Sequence, residues 1–329
     1  MNKKHLEYVE NFSIVLGFLF LSGALANLRI FPSAIISLTR YYIAFGSVFV
    51  IATRFKLLAY KAKRNPYILA VIILGLISFV WSASPGYTFF LIRGQLLPMT
   101  AFGLYLATSF DVKTLLKKLS YAAIVLLLLS FFAAIAMPSV GIESGKFAGA
   151  WKGVFTQKNT ASSYMVLTAL ALFLSSFKSS SKKILGIYKH IWLRCLGLSA
   201  LGFIFLTTSG TGLVLSILIT FALFNYFRFR WQGKITILLF DIAVLLIGSG
   251  AIIFIGNWSQ ILTNAGKDPT LTGRTVFWAI AMQAIWRDRP LLGFGRGEFW
   301  NPNGTYVSEI RRAFGANIYS DAYLPAHAH

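Results

Sequence analysis

Outside the apolar stretches of this chain, most residues that could do chemistry are cationic. Seven of them fall in residues 256–329: Lys267, Arg274, Arg287, Arg289, Arg296, Arg311 and Arg312. Guanidinium and ammonium groups bind phosphates and other anions. The segment ends in His327-Ala-His329, and a neutral imidazole there could take a proton from a hydroxyl group. No cysteine or carboxylate cluster accompanies the two histidines, so we predict no metal site and no cofactor.

Arg274 stands at the start of a predicted helix. Within 275–287, five residues fall at i, i+3, i+4, i+7 and i+8 on one apolar face: Phe277, Ile280, Ala281, Ala284 and Ile285. Free backbone N–H groups and a guanidinium at one helix end can bind an anion together. Contact between Arg274 and lipid headgroups explains the pattern equally well. Arg296 follows in a glycine-rich segment, 290–298, which predicts a tight loop, and a purely structural turn is the alternative there.

Lys158 and Asn159 close a segment, Gly153-Val-Phe-Thr-Gln-Lys-Asn159, that leads into an apolar run. The pattern predicts a membrane helix that begins with a cation. A solvated lysine at the membrane interface is the alternative interpretation.

The composition indicates that the helices positioning these residues lie in a membrane. Of 329 residues, 57% are hydrophobic and 12% charged, against about a quarter charged in a soluble domain. We therefore predict an all-α polytopic membrane protein with about nine spans and a large external loop. The division is a transmembrane bundle over 1–255 and a loop module over 256–329. The spans are roughly 12–28, 35–53, 67–80, 94–110, 119–137, 161–177, 191–208, 212–227 and 235–255.

The net charge of +21 is distributed over separate loops. If the N-terminus is cytoplasmic, 17 Lys and Arg fall in the segments 1–11, 54–66, 111–118, 178–190 and 228–234. Only six fall in 29–40, 81–93 and 138–160. This alternation follows the positive-inside rule, so we predict a cytoplasmic N-terminus and place 256–329 outside. It also argues against nucleic acid as a partner. Lys3, Lys4 and an Ala24-Leu-Ala26 site are typical of a signal peptide, but the many following spans favour an uncleaved first helix.

These segments together resemble the O-antigen ligase and polymerase family of bacterial inner-membrane glycosyltransferases. The matching residues are Trp81-Ser82 with Pro85, Gly153-Val-Phe with Asn159, Thr272-Gly-Arg-Thr275 with Trp278, Arg289-Pro-Leu-Leu-Gly-Phe-Gly295, and His327-Ala-His329. The resemblance covers the chain from about residue 67 onward.

The resemblance implies about a dozen membrane helices, a periplasmic loop and a polyprenyl-diphosphate-linked glycan as donor, without a metal. The acceptor would be a glycan or a lipid A-core. Arg274 matches the family's loop arginine, with Lys158 and Arg296 as further diphosphate ligands. His329 matches the histidine that activates the acceptor, and His327 and Asn159 could support it.

Two departures from the family matter. A family arginine in a Ser-Arg-Thr-like turn is absent from Ser209-Gly210-Thr211, and Lys158 could replace its charge. The family continues where this chain stops, so we expect a C-terminally truncated fragment, inactive alone. Polymerase and ligase both remain open, although Lys158 and Gly210 favour polymerase. A flippase or transporter of lipid-linked glycans and a non-catalytic subunit of a polysaccharide export system are the alternatives to an enzyme.

Overall fold

The computed structural model describes residues 3–177, 183–184, 186–229 and 274–314, with single positions between 242 and 264. Within these ranges the chain is helical apart from turns, one isolated bridge and one small hairpin. In the hairpin, β1 (Lys183–Ile184) pairs antiparallel with β2 (Ile187–Tyr188). The protein is an all-α polytopic membrane protein, as the sequence predicts.

The helices follow one another closely along the chain. The first seven are α1 (Lys3–Leu21), α2 (Ala24–Asn27), α3 (Ser33–Thr53), α4 (Phe55–Arg64), α5 (Pro66–Ile77), α6 (Pro85–Leu91) and α7 (Leu97–Ser109). The next seven are α8 (Val112–Ala136), α9 (Pro138–Gly141), α10 (Lys158–Phe177), α11 (Lys189–Leu206), α12 (Gly210–Phe229), α13 (Arg274–Asp288) and α14 (Thr305–Phe314).

Five described helical segments are long and apolar enough to cross a membrane: Ser33–Thr53, Pro85–Ser109, Val112–Ala136, Lys158–Phe177 and Lys189–Leu206. A sixth qualifies only if Phe55–Arg64 and Pro66–Val80, which are sharply bent, count as one span. The predicted number of nine is therefore not confirmed. The predicted ninth span, 235–255, lies almost entirely outside the described residues.

The boundary of the predicted span 94–110 is wrong. The helix begins nine residues earlier, at Pro85, so most of the predicted loop 81–93 is helical and Arg93 lies inside a spanning-length helix. Pro85 at the first helical position has a preset φ and lacks only an N–H that the helix would leave unused. A π-helical turn, Ile92–Leu96, joins α6 to α7 just before Pro98. Such a turn accommodates a proline that cannot donate to the preceding helical carbonyl groups.

The chain forms two compact units. One comprises residues 1–65 and 97–227, and the other comprises 66–96 and 228–329. The predicted division at residue 255 stays a prediction. In the first unit, α8, α10 and α11 enclose a core that includes Leu127, Met165 and Phe203, all at most 1% exposed. Large apolar side chains on the outer faces are exposed, as expected for helices that contact lipid.

The second unit has a smaller core around α13. Ala284 is 1% exposed and packs with Phe294, Phe299 and Ile310. Ile280, Ala281 and Ile285 lie partly buried against the same cluster, so four of the five predicted apolar-face residues face the core. The side chain of the fifth, Phe277, lies outside the described residues.

Candidate active site

The glycine-rich turn around Arg296 is bound to the segment that follows α5. The indole Nε1 of Trp81 donates to the carbonyl oxygen of Leu292 at 3.1 Å, and the backbone N–H of Arg296 donates to Ser78 Oγ at 3.2 Å. Two segments that carry the family resemblance, about Trp81 and about Gly295, are therefore in direct contact. Their separation in sequence is more than 200 residues.

Glycine is required in this turn for two reasons. Gly293 and Gly295 have φ of +64° and +86°, where side-chain-bearing residues are strained. A Cβ atom at Gly295 would lie 2.9 Å from the carbonyl oxygen of Ser78 and 3.0 Å from Ser82 Cβ. The turn can approach this closely only because position 295 lacks a side chain.

A buried carboxylate lies beneath the turn. Glu298 is 3% exposed, and its Oε1 accepts a hydrogen bond from Ser84 Oγ at 2.8 Å. Asn301 Nδ2 lies 3.4 Å from Ser84 Oγ and 3.5 Å from the Glu298 carboxylate oxygens. Buried carboxylates need such donors because burial removes their hydration. Sequence reasoning missed all three roles, since nothing in the sequence links residue 84 to residues 298 and 301.

The arginines of this segment differ in their contacts. Arg287 forms ion pairs with Asp288 at 3.0 Å and Glu309 at 3.3 Å. The hydrogen bond from Arg287 holds the pKa of Asp288 below its usual value, and a hydrogen bond from Tyr306 acts in the same direction. Arg296 is half-buried, and among the described residues its guanidinium has no ion pair or hydrogen bond. Arg296 therefore has more freedom to bind an anion than Arg287.

The predicted helix over 275–287 is confirmed for the backbone to within one residue at each end. The helix α13 begins at Arg274 and ends at Asp288, one residue beyond each predicted limit. Arg274 thus lies in the first turn, where backbone N–H groups have no helical partner. Its side chain lies outside the described residues.

Lys158 lies in the other unit and opens α10. Its backbone N–H donates to Glu143 Oε1 at 2.9 Å, and its ammonium donates to Thr208 Oγ1 at 3.1 Å. The same ammonium lies 4.1 Å from the ring centroid of Phe147. Glu143 lies 3.8 Å from the ammonium of Lys152. The Lys158 ammonium has no carboxylate within ion-pair distance in the described part of the chain.

Asn159 holds the turn between α11 and α12. Its Oδ1 accepts a hydrogen bond from Ser209 Oγ at 3.1 Å, and Ser162 Oγ donates to the same Ser209 hydroxyl at 3.0 Å. Thr208 has a φ of +50°, which is uncommon for a β-branched residue and often marks a functional constraint. Lys158 contacts Thr208 and Asn159 contacts Ser209, so both lie beside the turn in which the resemblance leads us to expect an arginine.

The Gly153-Val-Phe segment has a packing role. A Cβ at Gly153, whose φ is +58°, would lie 2.6 Å from Ser130 Cβ. Val154 and Phe155 are 0% and 1% exposed, and the carbonyl of Val154 accepts a hydrogen bond from Asn27 Nδ2 at 3.2 Å. This segment fixes the entry to α10 and hence the position of Lys158.

A comparison with protein families tests the resemblance that the sequence predicts. Residues 195–326 match the family described as O-antigen ligase. The predicted resemblance is confirmed. No match was found among curated proteins or among solved structures.

The O-antigen ligase match supports a membrane glycosyltransferase of the ligase or polymerase type in the bacterial inner membrane. It covers less than half of the chain and includes Arg274 and Arg296. Lys158 and Asn159 precede the matched segment, and His327 and His329 follow it. Both histidines lie outside the described residues. No group of three or more potential metal ligands occurs in the described ranges.

Proposed function

We propose that this protein transfers or polymerises polyprenyl-diphosphate-linked glycans on the periplasmic face of the inner membrane. The observation that carries the proposal is the start of α13 at Arg274, inside the segment that matches O-antigen ligases. A helix N-terminus with a guanidinium suits a diphosphate, which carries negative charge throughout the reaction.

Arg274, Arg296 and Lys158 bind the diphosphate in this proposal. Negative charge grows on the leaving group as the sugar–phosphate bond breaks, so fixed cations lower the barrier. Two observations support this assignment: the guanidinium of Arg296 has no ion pair among the described residues, and the Lys158 ammonium lies beside Thr208. Because Lys158 lies next to the turn that contains Gly210, we favour a polymerase with a glycan acceptor over a ligase with a lipid A-core acceptor.

His329 acts as the general base. The acceptor hydroxyl oxygen attacks the anomeric carbon of the donor sugar, its proton passes to the imidazole, and polyprenyl diphosphate leaves with the electrons of the broken C–O bond. His327 and Asn159 have supporting roles. The proposed reaction requires neither a metal nor a cofactor.

Transfer by the full-length protein, purified in nanodiscs, tests this proposal. We expect release of polyprenyl diphosphate and longer glycans, and we expect both to persist in EDTA. His329→Ala should stop turnover while donor binding remains, and His327→Ala should reduce it less. Movement of the donor between leaflets without bond cleavage would instead support a transporter. Arg40 and Arg93 are charged residues within spanning-length helices that a transporter could use.

The proposed orientation has its own test. Lys113→Cys and Ala265→Cys, each in a Cys195→Ser background, should react differently with an impermeant thiol reagent added to intact cells. We expect labelling only at position 265. Labelling only at position 113 would place the candidate site on the cytoplasmic side and contradict the proposal.

A further inference from the structure

The helix α4, Phe55–Arg64, has two chemically different faces. Lys56, Tyr60, Lys63 and Arg64 fall at i, i+4, i+7 and i+8 on one face. Phe55, Leu58, Ala59 and Ala62 fall at i, i+3, i+4 and i+7 on the opposite face. The helix contains no acidic residue. This pattern is typical of helices that lie in the plane of a membrane surface.

Contacts within the first unit fix α4 at the end of two spanning-length helices. Lys61 Nζ donates to the carbonyl oxygen of Ala107, and Arg54 Nη1 donates to that of Thr108 at 3.4 Å. Both carbonyls belong to the last turn of α7, where cations are favoured by the helix dipole. Leu58 packs against the core cluster that includes Ile51 and Phe102. The helix therefore lies where α3 and α7 end, at the expected edge of the hydrocarbon.

The remaining cations of α4 have no partner in the part of the chain that the structure describes. Lys56, Lys63 and Arg64 are exposed and have no ion pair among the described residues. Phe55 and Tyr60 are 66% and 63% exposed, which is unfavourable for aromatic side chains in water. An anionic lipid surface would satisfy both features, because its headgroups pair with the cations and its acyl region accepts the aromatic rings.

We propose that α4 is an interfacial helix that binds anionic phospholipid headgroups at the membrane surface where α3 and α7 end. Charge complementarity selects the partner, since the exposed face carries three cations and no carboxylate. Lipid binding of this kind is independent of glycan transfer, so it can be correct if the proposed function fails.

Quenching by brominated lipid tests the proposal in the whole protein. A fluorophore is attached at Ala59→Cys in a Cys195→Ser background, because Cys195 is exposed. The protein is placed in nanodiscs of phosphatidylcholine with a minor fraction of phosphatidylglycerol, and only one lipid is brominated at a time. The measured quantity is the ratio of the association constant for phosphatidylglycerol to that for phosphatidylcholine. We expect this ratio to be several-fold above one. A reporter at Leu198→Cys, on an exposed face within α11, should give a ratio near one.

Charge variants locate the effect. Each Lys or Arg near an anionic surface strengthens association roughly five-fold, so Lys56→Gln/Lys63→Gln should bring the ratio at the α4 reporter close to one. Lys56→Arg/Lys63→Arg should preserve it. The matched control Lys113→Gln/Lys183→Gln removes two exposed lysines from other segments that the sequence places on the same side, and it should leave the ratio unchanged.

Two results would overturn the proposal. A ratio near one at position 59 in the parent protein would mean that α4 does not select anionic lipid. This result is expected if its basic face binds an acidic protein instead. An equal fall in the control variant would mean that overall charge, and not α4, attracts the lipid. Unfolding of a variant is recognised by its thermal midpoint. The charge requirement is then tested in the parent protein, whose ratio should fall toward one at high salt.

Discussion

Replacement of Gly295 by alanine should detach the Arg296 turn from the segment after α5. Gly293 and Gly295 both have positive φ, so alanine at either position costs about 1–2 kcal/mol of conformational energy. Only position 295 adds a steric conflict, because its Cβ would lie 2.9 Å from the Ser78 carbonyl oxygen, whereas nothing lies within 4 Å at position 293. Overpacking of this kind costs about 1–3 kcal/mol. The difference between the two variants therefore isolates the contact.

Hydrogen exchange measured by mass spectrometry reads this difference locally. Peptides that cover 290–301 should exchange roughly 5- to 150-fold faster in Gly295→Ala than in Gly293→Ala, the equivalent of about 1–3 kcal/mol. Peptides from α10 should be unchanged in both variants. If the two variants accelerate exchange equally, close approach to Ser78 does not stabilise the turn and the reasoning is wrong.

Three further predictions concern charge. Lys158→Ala should lower glycan transfer at least ten-fold with little loss of protein, since a charge-assisted contact contributes about 1.5–3 kcal/mol; Gly210→Arg, whose Cβ has open space, should restore part of that loss in the double variant. Arg274→Ala should abolish transfer, and Arg274→Lys should recover little because the bidentate fork is lost. Asp288→Asn should lower the thermal midpoint at neutral pH. Because the pKa of Asp288 is lowered in the folded state, its stabilising effect is fully present above the unfolded pKa and is lost as pH falls through the folded pKa. The two proteins should therefore differ at neutral pH and converge only below the folded pKa.

Helices with a strong apolar period were predictable from the sequence. The α13 prediction missed each end by one residue, and Ala284, on the predicted apolar face, is 1% exposed. The start of α10 at Lys158 agrees with the prediction that a cation opens this helix. In both cases one continuous segment contains the whole signal, so local pattern is sufficient.

The prediction failed where polar residues lie inside helices. The segment 81–93, which contains Pro85 and Arg93, is predicted as a loop between spans, yet Pro85 starts a helix that continues to Ser109. Hydropathy registers the polarity of a side chain but not its position in a helical turn. The helix α4 was missed for the same reason, since its basic residues indicated only a polar connection between spans.

The contacts that form the candidate site lie beyond sequence reasoning of this kind. The hydrogen bond between Ser84 and Glu298 joins residues 214 positions apart, and neither residue has a distinctive local pattern. Trp81 belongs to a segment that carries the resemblance, and its bond to Leu292 shows that it also secures the Arg296 turn. Both segments had been identified separately by their residue types. Their pairing required the three-dimensional structure.

In the proposed function, Lys158 supplies the charge that the resemblance expects from an arginine in the Ser209-Gly210-Thr211 turn. A diphosphate requires positive charge at a point in space, and the fold does not require that charge to come from one particular helix. Lys158 is the first residue of α10, and its ammonium lies 3.1 Å from Thr208 Oγ1, one residue before Ser209-Gly210-Thr211. Asn159 binds Ser209 at 3.1 Å and so fixes α10 against that turn. If Lys158 serves this turn as proposed, a cation introduced at Gly210 should make Lys158 less necessary.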